Sequence, residues 1–359
     1  MRTIITTMRN EAPFILEWLA YHRAIGFDRF LVFSNDCEDG TELMLDRLQA
    51  MGLLRHIPNP RRGNAPVQWT AMRRARNQRI VKESEWVLVS DVDEFLNVRI
   101  GAGMLDDLIG LDPQADGFRI AWRMFGSNGI TTFEDRPVIE QFTAAAPDRL
   151  IWPWRAVQFK TLYRHGAGDL APGVHRPKPL DPTRRLHWID DNGQPAPDVP
   201  GTVLPTTAQR YRVVQLNHYA LGSVENFLVK VARGKPNHMN DAIDLGYWLD
   251  RNFNEQPETS IHRHLAATRA GMDDLMQDAD LARLHQQGVA WRQARIAALM
   301  LQSDYFYLYA RILQAAPTHA LPLAAQLTLM RQLYAMRRAQ IAERAAAGNR
   351  SDPDSPTED

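Results

Sequence analysis

The sequence predicts an α/β fold with a mostly parallel central sheet, followed by a helical C-terminal region. Three observations predict it. Short β-branched runs alternate with amphipathic stretches through the first half of the chain, the pattern of strands joined by crossover helices. The apolar run Trp86 to Ser90 leads directly into Asp91, Asp93 and Glu94. From about Ala279 onward Ala, Leu, Arg and Gln dominate, a composition of good helix formers.

The elements follow in order. Thr3 to Met8 reads as the first strand. Asn10 is placed to cap the next helix, Pro13 fits its first turn, and Ile15, Trp18 and Leu19 share one face, with Gly26 closing it. Phe30 to Phe33 is the second strand. Asp39 and Glu42 stand at capping-box spacing before Leu43, Leu45 and Leu48, and Gly52 ends that helix. Leu53 to Ile57 is the third strand, a long helix runs from about Gln68 to Glu83, and Trp86 to Ser90 is the fourth strand. Further strands are expected at Gly117 to Trp122, Phe159 to Tyr163 and Arg212 to Leu216, with loops between Gly166 and Pro205. Ser223 is placed to cap a helix reaching Arg233, and Tyr305, Phe306, Tyr307 and Tyr309 read as packing residues. The expected division is a catalytic domain over 1–240, a helical region over 241–345 and a disordered acidic tail over 346–359.

Forty-two Lys and Arg balance forty-two Asp and Glu, so no global positive field gathers nucleic acid. Local basic groups leave room for a peripheral membrane contact. A single cysteine, Cys37, excludes an intrachain disulfide and a Cys-rich zinc cluster. Neither a signal peptide nor an apolar run long enough to span a bilayer is found, and a cytoplasmic location is expected.

Asp91 and Asp93 lie just beyond a strand's carboxyl end, where open parallel sheets bind ligands. Two residues apart in extended backbone, they point the same way. Converging carboxylates repel unless a cation sits between them, and a hard divalent ion completed by diphosphate oxygens resolves this. The plainer reading is an acidic turn.

Several blocks together resemble glycosyltransferase families 2 and 92 within the GT-A superfamily. They are Arg9-Asn10-Glu11, Leu16-Glu17-Trp18-Leu19-Ala20-Tyr21-His22, Gly26-Phe27-Asp28, Ser34-Asn35-Asp36, Asp39-Gly40-Thr41 and Trp86 to Leu96. The resemblance covers roughly residues 1–130, with a thinner extension to Gly234. It implies a GT-A-type, Rossmann-like nucleotide-sugar-binding domain, and a metal-dependent transfer from a UDP- or GDP-sugar to a glycan or lipid-linked hydroxyl, with inversion. Polysaccharide biosynthesis is the setting it suggests. On that likeness Asp93 and Asp91 are the expected ligands of Mn2+ or Mg2+, and Asp91 also serves the donor. Thr6, Glu11, Asn35 and Asp39 are expected near base and ribose, although Asp39 reads equally well as a helix cap. His218 and His175 compete for a third metal position. Lys230 and Arg233, ahead of Gly234 and Lys235, share a helical face suited to a diphosphate.

An inverting transfer needs a carboxylate base, and Asp135, between Glu134 and Glu140, is the candidate. Trp152-Pro153-Trp154 suits sugar stacking, or core packing. Gln68, Arg76 and Asn77 are candidates to face the nucleotide. Three rivals stand beside the transferase: an aspartate-nucleophile phosphotransferase or phosphatase, a nucleotidyltransferase and a non-catalytic glycan-binding module. The first usually carries Thr or Val where Phe95 stands. The second wants a Gly-rich basic loop where Arg9 to Pro13 stands.

Overall fold

The computed structural model describes residues 1–63, 65–165, 170–181, 183–198, 201–203, 209–234 and 243–346. The predicted acidic tail and Lys235 lie outside these residues, apart from Ala346 at the end of the last helix.

The first half forms β1 (Arg2–Met8), α1 (Ile15–Ala24), β2 (Arg29–Ser34), α2 (Thr41–Ala50), β3 (Arg55–Pro58), α3 (Val67–Ala75) and β4 (Trp86–Val89). The order β4-β1-β2-β3 is parallel throughout. Successive side chains in these strands go to opposite faces. Ile4, Phe30, Val32, Trp86 and Leu88 join the larger core under α1. Ile5, Leu31, Phe33, Val87 and Val89 join the smaller one with Ala71, Met72 and Ala75 of α3. Covered faces explain why these strands read as continuous apolar runs.

The other half of the sheet is mixed. Past the acidic motif comes β5 (Glu94–Val98), then β6 (Gly117–Met124), β7 (Phe159–Arg164) and β8 (Val214–His218). β7 runs antiparallel between β4 and β6, and β8 pairs parallel with β6 and antiparallel with β5. Its register sets His218 opposite Glu94 and Met124, so a late residue arrives beside the early motif.

The C-terminal region supplies α4 (Val224–Arg233), α5 (Leu265–Leu275), α6 (Ala279–Met300), α7 (Ser303–Gln314) and α8 (Leu323–Ala346). α5 packs on α1, and α6 packs on α2, α4 and the turn Ala12–Phe14. Leu275, Leu281 and Leu284 belong to the same core as β1 and α1, so residue 240 does not divide two cores. Gly288 lets α6 approach closely, because an added Cβ would meet the Cβ of Ala12 at 2.5 Å.

Several local expectations are corrected. Asn10 does not cap a helix; it sits at φ 57° and its Oδ1 accepts the Glu38 N–H at 2.7 Å. Asp39 forms no capping box with Glu42. Its Oδ1 accepts the Thr41 N–H and its Oδ2 the Ala12 N–H, joining the loops after β1 and β2. The long helix from Gln68 ends at Ala75 and resumes as one turn, Arg79–Lys82. β5 and the short helix Leu105–Ile109 were not anticipated, whereas α5 falls in the expected helical region. Phe306 and Tyr307 are exposed rather than packed. Ser223 does cap α4, accepting the Asn226 N–H at 3.2 Å.

Candidate active site

The acidic motif is built on a buried floor. Glu94 is fully enclosed; its Oε2 accepts the Ser90 hydroxyl at 3.1 Å and the Asp91 N–H at 2.9 Å. Nζ of Lys160, from β7, lies 3.6 Å from that oxygen and donates to Oδ2 of Asp91 at 3.1 Å. Burial pushes the Glu94 carboxyl up to about 8, against the pull of Lys160. For Lys160 burial alone would lower the pKa, but Asp91 and Glu94 raise it overall.

The two aspartates do not converge. Asp91 faces α3 and β7, with Oδ1 accepting from Gln68 Nε2 at 3.1 Å and Oδ2 from Lys160. Asp93 faces the other way. Its Oδ2 accepts from Lys230 Nζ at 2.8 Å, and its Oδ1 lies 3.8 Å from His218 Nε2. Burial would raise the Asp93 pKa, but Lys230 and His218 hold it well below the usual range. Each aspartate thus has its own lysine, Lys160 at Asp91 and Lys230 at Asp93. Among the described residues no group of three or more His, Cys, Asp and Glu is placed to hold a metal.

Asp93 and His218 suit an ion that takes further ligands from a bound diphosphate. The imidazole is buried, which lowers its pKa despite Asp93 and keeps it neutral, the form that binds metal. Its Nδ1 has no partner, and Nε2 and the Asp93 oxygen stand beyond hydrogen-bond distance of one another. His175 is placed differently. Its Nδ1 lies 3.1 Å from the Phe159 carbonyl, and its ring meets that of Trp122 edge-on at 5.3 Å.

A pocket opens beside Asp93, walled by Phe14, Phe133, Val138, Tyr219 and α4. Lys230, Arg233, Glu11 and Arg292 line it together with Asp93. Arg233 pairs with Glu11 and donates to the Arg9 carbonyl at 2.7 Å. Burial raises the Glu11 pKa against the pull of Arg233. Lys230 also donates to the Ala220 carbonyl at 2.7 Å.

The motif residues of α1 hold this wall in place. Glu17 accepts the N–H groups of Val138 and Ile139 at 2.7 and 3.0 Å. The Tyr21 hydroxyl donates to the Leu96 carbonyl at 2.7 Å, and the Leu96 N–H donates to His22 Nε2 at 3.4 Å. One helix thus fixes both the loop over the pocket and β5 beneath it.

Other predicted site residues lie elsewhere. Thr6 is buried with its Oγ1 unpartnered, and Asn35 is buried with its Nδ2 on the Asn59 carbonyl. Asp39 spends both oxygens on backbone. Asn35 and Asp39 therefore tie the loops at the strand ends, while Thr6 keeps an unpaired hydroxyl inside the sheet. Asp135 turns to His285 on α6, 3.1 Å away, and does not line the pocket; Glu134 does. Arg76 and Asn77 are exposed at the break after α3. The Trp154 ring is covered by the guanidinium groups of Arg337 at 4.2 Å and Arg155 at 5.2 Å, which takes the face a sugar would stack on. Sequence reasoning named the Glu134-Asp135 stretch but chose Asp135, and it missed Lys160 and Arg292. A lysine inside an apolar strand was a readable signal for the first; nothing local marked the last.

Residues 5–142 match the family model of glycosyltransferase family 92. This segment holds α1, the acidic motif and the pocket loop. A glycosyltransferase family 92 protein of Oryza sativa subsp. japonica is 31% identical over 155 residues, 41% of this chain and 25% of that protein. One from Ricinus communis is 29% identical over 133 residues, 35% of this chain and 23% of that protein. The chain thus spans about a quarter of the length of these curated relatives. Likeness to solved structures is slight. S. aureus TarS 1-349 in complex with UDP is 19% identical with TM-score 0.30, covering 46% of this chain and 47% of that one. S. aureus TarS 1-349 is 14% identical with TM-score 0.32, covering 88% of each.

Proposed function

We propose that this chain is a glycosyltransferase that uses a nucleotide-diphosphate sugar, UDP- or GDP-linked, with Mn2+ or Mg2+. The observation that carries this reading is the meeting of Asp93, Lys230 and Arg233 in one pocket beside the acidic motif, with His218 3.8 Å from Asp93. The family 92 similarity of residues 5–142 supports it. Asp93 and His218 would hold the ion, which when bound supplies positive charge for the leaving diphosphate. Lys230 and Arg233 add cationic donors to the same end.

In the transfer, an acceptor hydroxyl oxygen bonds to the anomeric carbon as the bond to the diphosphate oxygen breaks, with inversion. The hydroxyl's proton passes to a carboxylate, and Glu134 is the one we assign, because it lines the pocket while Asp135 is held by His285. The acceptor is a hydroxyl of a glycan or lipid-linked glycan, in polysaccharide assembly. No described helix is long and apolar enough to cross a membrane. Asp91, held between Gln68 and Lys160, is poorly free to act as a phosphotransferase nucleophile.

The test is calorimetric binding of UDP and GDP with Mn2+ and with chelator, for wild type and Asp93→Ala. Metal-dependent binding of one nucleotide, lost in the variant, is expected. If neither nucleotide binds with metal present, the transferase reading fails.

A further inference from the structure

Arg292 belongs to α6, far outside the segment that matches the family model. One turn after Gly288 brings α6 against Ala12, its side chain enters the pocket wall. It is 3% exposed. Its guanidinium lies over the Phe14 ring at 4.8 Å and the Phe133 ring at 6.0 Å. Nη1 donates to Asn226 Oδ1 at 2.6 Å and Nη2 to the Asn10 carbonyl, while Nε has no partner. Among the described residues no carboxylate pairs with it.

A guanidinium has five N–H donors and retains its charge in proteins. Buried without an ion-paired anion, its charge is offset only at longer range by Glu11 and Asp39, so its burial is costly. Burial lowers its pKa to about 10, still charged at neutral pH. The pocket's three carboxylates do not balance it, since Glu11 is paired with Arg233, Asp93 with Lys230 and Glu134 with Arg136. Adding Arg292 leaves these seven groups with one positive charge in excess. The Phe14 and Phe133 rings, edge to face with centroids 6.4 Å apart, pack against the guanidinium and hold it in the pocket wall, with donors to spare beyond its two hydrogen bonds.

We infer that α6 completes the pocket with an anion-binding subsite centred on Arg292, which takes a phosphate or carboxylate group of the substrate. The inference rests on the pocket being the substrate site of the proposed transferase. The anion is either the donor's diphosphate or a charged group on the acceptor glycan.

The experiment measures binding of inorganic phosphate, glucuronate, uridine and UDP with Mn2+ to the full chain, as wild type, Arg292→Gln, Arg292→Lys and Asp93→Ala, with thermal melts as the folding control. Arg292→Gln is expected to weaken phosphate or glucuronate about tenfold or more. If UDP weakens equally and uridine does not, the anion is the donor's; if UDP is unaffected, it belongs to the acceptor. Folded Arg292→Gln that binds phosphate, glucuronate and UDP as wild type does overturns the subsite, as does a wild type that binds none of these anions. Should Arg292→Gln not fold, Arg292→Lys decides, because losing the fork should cost severalfold in affinity and an unchanged affinity overturns the subsite. Loss of UDP in Asp93→Ala with no effect at Arg292 on any anion sinks the subsite alone. Phosphate binding that depends on Arg292 in a protein that never binds UDP or GDP sinks the transferase reading alone.

Discussion

Nζ of Lys160 lies 3.1 Å from Oδ2 of Asp91 and 3.6 Å from Oε2 of Glu94, with the lysine and the glutamate fully enclosed. A strand 69 residues downstream therefore supplies the cation that lets two motif carboxylates sit side by side. Removing one member of such a group strands the others, which costs about 3 kcal/mol or more. Lys160→Met should lower unfolding stability by that order in urea titrations. The double variant Lys160→Met/Asp91→Asn should recover most of the loss, since the carboxylate that Lys160 pairs with has lost its charge too. Equal instability of the single and double variants would show that Lys160 acts by packing alone.

The two aspartates should behave differently. Asp93 meets His218 and Lys230, whereas Asp91 meets Gln68 and Lys160. Asp93→Asn should abolish the metal dependence of nucleotide binding. Asp91→Asn should weaken it only about tenfold, the scale of a residue that orients others around an ion. Calorimetry in Mn2+ and in chelator separates them, and equal loss in both variants would return Asp91 to the ligand set.

The parallel half of the fold was legible because its strands are short, apolar and punctuated. Ile4 and Ile5 look alike in sequence, and only the strand period assigns them to opposite faces. β5 was hidden because its first residue, Glu94, reads as part of an acidic turn, although it is the motif's buried floor. His218 could be found from the strand before it. Its place beside Asp93 depends on the β5–β8 register, a pairing between segments 120 residues apart. Thr6, Asn35 and Asp39 stand at strand ends as expected, yet the backbone claims their polar atoms or burial hides them. Arg292 had no local signal, since its role comes from helix docking enabled by Gly288.

Glu17 should make stability depend on pH. Burial raises its pKa from 4.5 to about 7, despite two backbone N–H donors. The folded protein then binds more protons than the unfolded chain between these values. Its contribution is full below about pH 4.5 and is lost as pH rises through about 7, at up to about 1.4 kcal/mol per pH unit. Urea unfolding of wild type and Glu17→Gln across pH 5 to 8 checks the sign. The difference in stability between the two should shift with pH in favour of the variant as pH rises. A difference that stays constant over that range would contradict the assignment.

Glu134 and Asp135 are adjacent but face different neighbours. Glu134 lines the pocket, and Asp135 accepts from His285 on α6. If Glu134 takes the acceptor's proton, Glu134→Gln should lower kcat by about 10²- to 10⁴-fold with nucleotide affinity little changed. Asp135→Asn should keep kcat within a few-fold and act instead on the docking of α6, lowering stability by about 1 kcal/mol. Single-turnover rates with a donor identified by calorimetry, set beside urea midpoints for each variant, separate the two roles. The reverse pattern, with kcat lost in Asp135→Asn, would mean that the loop turns over when the acceptor binds and that Asp135 leaves His285 to do so.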